Sequence, residues 1–120
     1  MSRIATSYSP NGSTVALSST ATSSFASVGS ITPTNAWYCV NTGANPVAIR
    51  FYVSASTGTA IFPTVGSPQL GPVLAAGDAQ VFELPGALAN GNALGGFTST
   101  VLVATIATTG TNPVYITPLL

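Results

Sequence analysis

Pro46-Val47-Ala48-Ile49-Arg50-Phe51-Tyr52-Val53-Ser54 has the two-residue period of an extended strand. Successive strand side chains point to opposite faces. Val47, Ile49, Phe51 and Val53 therefore share a face without a polar group, which predicts a core. Ala48, Arg50 and Tyr52 share the other. Just before this segment stands Asn41-Thr42-Gly43-Ala44-Asn45, and closely similar residues return at Thr108-Thr109-Gly110-Thr111-Asn112, ahead of Pro113-Val114-Tyr115-Ile116. Aligned from Asn41 and Thr108, six of nine positions match. In both places one strand runs into Thr-Gly-x-Asn-Pro and another leaves. Glycine supplies a positive φ, and proline restarts extended chain. Each copy predicts a β-hairpin, 36–40 with 47–54 and 100–107 with 114–117. A duplication and convergent turn chemistry both account for the recurrence.

Outward from these turns the signal stays extended. Val, Ile, Thr, Phe and Tyr dominate the apolar runs, and Gly, Pro and Asn separate them. No segment carries a long 3.6-residue period with caps. Strands are expected near 14–18, 25–31, 36–40, 47–54, 70–74, 79–84, 100–107 and 114–117. Eight short strands with such turns predict an all-β fold, an antiparallel β-sandwich or jelly roll. The length suits one domain, 13–120, preceded by an arm over 1–12. Trp37 is expected to pack in the core, as are Phe82 and Leu84. Arg50 and Glu83 are expected to meet across outward faces. Cys39, the single cysteine, lies in Trp37-Tyr38-Cys39-Val40 with no basic neighbour, so it reads as a small buried hydrophobe.

Charge excludes most chemistry. Arg3, Arg50, Asp78 and Glu83 are the only charged side chains, and there is no Lys or His. Soluble domains draw about a quarter of their residues from these charged types. A surface near neutrality promotes association, so this composition suits a subunit whose faces are covered by neighbours. Without histidine or lysine no Ser-His-Asp, Cys-His or Ser-Lys arrangement can be built. Asp78 and Glu83, the only side-chain acids, are an odd number of residues apart around one strand start and point to opposite sides, so they form no glycosidase pair. Asp78 reads as a turn cap. One cysteine and two scattered acids complete no zinc site. The run Gly91-Asn92-Ala93-Leu94-Gly95-Gly96 lacks the Lys and the helix of a phosphate loop, and Asn11-Gly12-Ser13 reads as a turn. Two arginines supply no nucleic-acid surface. No apolar run is long enough to cross a membrane, and the first residues lack a signal-peptide pattern, so synthesis in a cytoplasm is expected. The expectation is a non-enzyme with no cofactor and no small-molecule substrate.

Two segments depart from the strand-and-turn pattern. Residues 1–12 read as an arm, and 86–97 as a long small-residue loop; such loops are usually functional or disordered. Arg3, Ile4 and Tyr8 in the arm, with Leu88, Leu94 and Phe97 in the loop, are the candidate partner contacts.

Val40-Asn41-Thr42-Gly43 followed by Pro46-Val47-Ala48-Ile49-Arg50-Phe51 resembles a pattern in small accessory proteins of tailed-phage virions. Leu74-Ala75-Ala76-Gly77-Asp78-Ala79-Gln80-Val81-Phe82-Glu83-Leu84 and the closing Val114-Tyr115-Ile116-Thr117-Pro118 resemble it too. The likeness spans roughly 36–85 and 100–118 and is to head decoration or cement proteins. It implies a compact β-sandwich docked on the capsid surface against the major capsid protein, as a homotrimer or other homo-oligomer. The runner-up is a receptor- or carbohydrate-binding module of a tail fibre or spike, which predicts an exposed aromatic cluster including Tyr38, Tyr52 or Tyr115. A main coat subunit ranks last, since so few basic residues would package nucleic acid badly.

Overall fold

Eight strands form where the β-branched and aromatic residues concentrate, and no helix occurs among the described residues. The computed structural model describes residues 12–29, 36–53, 57–69, 71–83 and 101–119. The strands are β1 (Val15–Ser19), β2 (Ser24–Ser27), β3 (Ala36–Asn41), β4 (Val47–Val53), β5 (Val73–Leu74), β6 (Ala79–Glu83), β7 (Val101–Ala107) and β8 (Asn112–Pro118). They make two antiparallel four-stranded sheets, ordered β1-β8-β3-β6 and β2-β7-β4-β5. Every connection but β4–β5 therefore changes sheet, which is the strand order of an eight-stranded jelly roll.

The hairpin expectation fails. β3 pairs with β6 and β8, never with β4, while β7 pairs with β2 and β4, never with β8. Both Thr-Gly-x-Asn-Pro segments are corners that carry the chain from one sheet to the other. Local turn chemistry is the same for a hairpin and a corner; which sheet the next strand joins depends on where its apolar face finds a core. The two corners lock together reciprocally. The Asn45 amide donates to Asn112 Oδ1 at 3.0 Å, and Asn112 Nδ2 donates to the Thr109 and Ser19 carbonyls at 3.0 and 3.2 Å. Asn41 Nδ2 donates to the Asn45 carbonyl at 2.9 Å, while its Oδ1 accepts from the Gly43 amide at 2.9 Å. Gly43 is required for space: a Cβ there would lie 2.6 Å from Asn112 Cα. Gly110 has φ +74° and faces Asn45 in the mirrored contact. Positive φ is therefore the reason for one of the matched glycines only.

Asn112 and Pro113 belong to β8 rather than to the preceding turn. Proline near the start of a strand is tolerated, and here its carbonyl accepts from both the Thr42 amide and Thr42 Oγ1. β2 ends at Ser27 and β5 holds two residues, so both are shorter than their expected ranges.

Inward side chains of the two sheets form one core that includes Trp37, Cys39, Val47, Ile49, Leu74, Val103, Val114 and Ile116. Trp37 and Phe51 rings lie 5.5 Å apart across the sheets, and Phe51 and Phe82 rings 6.2 Å apart, spacings at which aromatic pairs attract. Trp37 Nε1 donates to the Val28 carbonyl at 3.1 Å, so its polar atom is satisfied in the core. The expected inward sets of β4 and β6 hold at Val47, Ile49, Phe51 and Phe82; Leu84 lies outside the described residues. Arg50 and Glu83 do not meet, because β4 and β6 lie in opposite sheets. Arg50 instead lies over the Tyr52 ring, 4.6 Å from its centroid.

Candidate interaction face

The outer faces of the two sheets are treated differently, and that difference defines the site. Over the middle of the β2-β7-β4-β5 sheet the chain covers itself, while Phe25 on β2 and Val73 on β5 stay 43% and 41% exposed on the same side. After β4, residues 57–63 lie against the face as a strap, anchored at Thr59 and Ala60. The Tyr52 hydroxyl donates to the Thr59 carbonyl and accepts from the Thr59 amide at 3.0 Å. Farther across, the Ala60 amide donates to Ser23 Oγ at 2.9 Å. Gly58 lies so close to the Tyr52 ring that a Cβ would come within 2.8 Å of it. The outward residues Ala48, Leu102, Ala104 and the strap's own Ala60 are all buried.

No described residue covers the β1-β8-β3-β6 sheet in this way. Its outward side chains form two cross-strand rows set by register, Val81–Tyr38–Thr117 and Ala79–Val40–Tyr115–Ala16. Tyr38, Val81 and Tyr115 keep 41%, 42% and 39% of their surface exposed. An antiparallel sheet with one wet face normally alternates apolar-in with polar-out. Here the outward positions are mostly Ala, Val and Tyr, with Ser18, Pro113 and Thr117 on the β1-β8 side, and Glu83 at the rim is the only charge in the outward positions of the four strands. Contiguous exposed apolar surface of this kind marks interaction sites.

Little else in the described residues has chemical potential. Cys39 is fully buried opposite Ile116, and burial pushes its thiol up from 9.0 to about 12, which removes the reactive thiolate. Asp78 caps its turn, accepting from the Ala79 amide at 2.9 Å and from Gln80 Nε2 at 3.3 Å. Among the described residues no three His, Cys, Asp or Glu side chains cluster to hold a metal. No helix of the described residues is long and apolar enough to cross a membrane.

The candidate contacts Arg3, Ile4, Tyr8, Leu88, Leu94 and Phe97 lie outside the described residues. Of the aromatic cluster, Tyr38 and Tyr115 share the open face as diagonal neighbours, whereas Tyr52 belongs to the other sheet and is engaged by the strap. Val40 and Val81 completed the face without being singled out in the sequence. Their signal was an absence of alternation, visible where Tyr38 and Val40 interleave with Trp37 and Cys39. Comparison with known proteins finds no matching family model, no matching curated protein and no matching solved structure.

Proposed function

We propose that this protein is a non-enzymatic virion structural protein, a decoration or cement module on the head of a tailed phage. It is made in the host cytoplasm and docks on the major capsid protein as a homo-oligomer. The observation that carries this reading is the open, uncharged outer face of the β1-β8-β3-β6 sheet, beside a second sheet whose outer face the chain covers in part. Such a face gains by being buried and offers no charge to steer or hold a soluble ligand. Jelly rolls are common in viral capsid and lectin domains, a fold-level analogy that agrees with the reading. A stable contact buries about 800 Å² per partner, and repetition over a lattice adds avidity to each weak site.

The test is genetic and physical. Phage lacking the protein assembles heads of normal shape, and those heads lose resistance to heat and osmotic shock; adding back purified protein restores it. Heads that keep full resistance without the protein overturn the cementing role. A carbohydrate- or receptor-binding reading is favoured by one observation, the exposed Tyr38 and Tyr115 on a common face. Glycan binding abolished by Tyr38→Ala and Tyr115→Ala, with unchanged head stability, would select it instead.

A further inference from the structure

We infer that β6 is a self-pairing edge, and that two copies of this chain join their β1-β8-β3-β6 sheets into one eight-stranded sheet through antiparallel β6–β6 hydrogen bonds. This goes beyond the lattice role and does not depend on which surface the outer face meets. An exposed sheet edge is a template for pairing, so proteins blunt edges by shortness, by Lys or Pro, by bulges or by covering them. Three of the four edges here are managed. β5 is two residues long. β1 is tied at its end to the opposite sheet, with Ser19 Oγ donating to Thr105 Oγ1 at 2.7 Å and the Ala107 amide donating to the Thr20 carbonyl at 2.8 Å, and β2 has four residues. β6 has five residues, no Lys and no Pro, and among the described strands it pairs with β3 alone.

The ladder fixes which groups are available. The Asn41 amide donates to the Asp78 carbonyl at 2.9 Å, which makes that pair a hydrogen-bonded one. Antiparallel pairs alternate, so Gln80 and Phe82 bond to β3, while the backbone groups of Ala79, Val81 and Glu83 point away from it. Asp78 Oδ1 already accepts from the Ala79 amide, as that direction requires. The Val81 amide and carbonyl, the Glu83 amide and the Ala79 carbonyl remain turned outward.

A second β6 meets this pattern in one register of full overlap. With the two-fold axis at Val81, each Val81 exchanges both bonds with its mate, and each Glu83 amide donates to the opposing Ala79 carbonyl. Opposing residues in such a pair have α-carbons about 5.5 Å apart. The two Glu83 residues fall at opposite ends, separated by about 14 Å at the ~3.4 Å rise of a strand, farther than the ~10 Å screening length at 0.1 M salt. Each Asp78, next to Ala79, stands diagonal to the partner's Glu83 with its carboxylate held by the Ala79 amide and Gln80 Nε2, and the partner's chain closes the rim where Phe82 is half-exposed. The Val81 and Tyr38 side chains of both copies then extend one continuous outer face.

The experiment uses the full chain. Sedimentation equilibrium is expected to give twice the single-chain mass. Val81→Pro removes the central donor without touching the ladder to β3 and is expected to give a folded monomer. Val81→Cys under mild oxidation is expected to yield a disulfide-linked dimer, because about 5.5 Å between α-carbons suits a disulfide. Ala79→Cys alone is expected not to cross-link, whereas Ala79→Cys mixed with Glu83→Cys is expected to. Buried Cys39 does not compete. A single-chain mass at every concentration overturns the inference, as does a Val81→Cys protein that stays uncross-linked. A Val81→Pro protein that remains dimeric shows that the copies meet elsewhere and overturns it equally. Should Val81→Pro fail to fold, the cysteine pairs decide alone.

Discussion

Cys39 lies between Ile116 and Gln80 in register, with its side chain fully buried in the core. A protonated thiol suits that place; a thiolate does not, because its charge would lose hydration with nothing to replace it. Hence the pKa near 12 in the folded chain against 9.0 as the ordinary value. Between those values the unfolded chain releases a proton that the native chain keeps. The native state therefore binds more protons, and stability must fall as pH rises through that window, by up to about 1.4 kcal/mol per pH unit. Below pH 9.0 the contribution is level. Urea midpoints of wild type and Cys39→Ala, taken from pH 8 to 11, are expected to run parallel below 9.0 and converge above it. The pH-independent offset is the cost of the lost sulfur volume. Curves that stay parallel throughout would mean that the thiol ionises in place.

At the scale of strands, alternation carried the reading far. The apolar faces of β4 and β6 were visible in the sequence because each residue's direction is local geometry. The pairing of strands was not. Thr-Gly-x-Asn-Pro specifies a sharp change of direction, and the same residues serve a hairpin or an inter-sheet corner. Only the fit of Gly43 against Asn112, and of Gly110 against Asn45, settles it, and those partners are far apart in sequence. The strap was equally hidden, since residues 57–63 have no strand period and their anchors, Tyr52 and Ser23, belong to other elements. Tyr52 is therefore expected to act as the strap's clasp. Tyr52→Phe keeps the ring against Gly58 but removes the hydroxyl that both donates to and accepts from Thr59, leaving stability lower by about 1–2 kcal/mol. Amide exchange at Thr59 should quicken at least tenfold, while Ala60, held by Ser23, changes less. Unaltered exchange at Thr59 would place the strap's anchorage elsewhere.

For the molecule as a whole, the outer face was half legible. Composition announced a surface poor in charge, and the structure places exposed apolar side chains on both sheets, Tyr38, Val81 and Tyr115 on the open one and Phe25 and Val73 beside the strap on the other. The open face carries no charged side chain within its two cross-strand rows. An association made through it draws on apolar burial, which salt does not screen. On the proposed function, attachment to heads is therefore expected to change little as NaCl rises from about 0.05 to about 0.5 M, and to strengthen in sulfate, which favours burial. Tyr115→Lys tests the same face from the other side. Its side chain points outward from β8 and is 39% exposed, so the substitution leaves the core and the ladder intact. Burying an unpaired ammonium costs several kcal/mol, so co-sedimentation with heads should weaken by tenfold or more while the thermal midpoint stays within a few degrees. If attachment instead collapses with NaCl and tolerates Tyr115→Lys, the grip is ionic and must come from Arg3 or another of the four charged groups, not from this sheet.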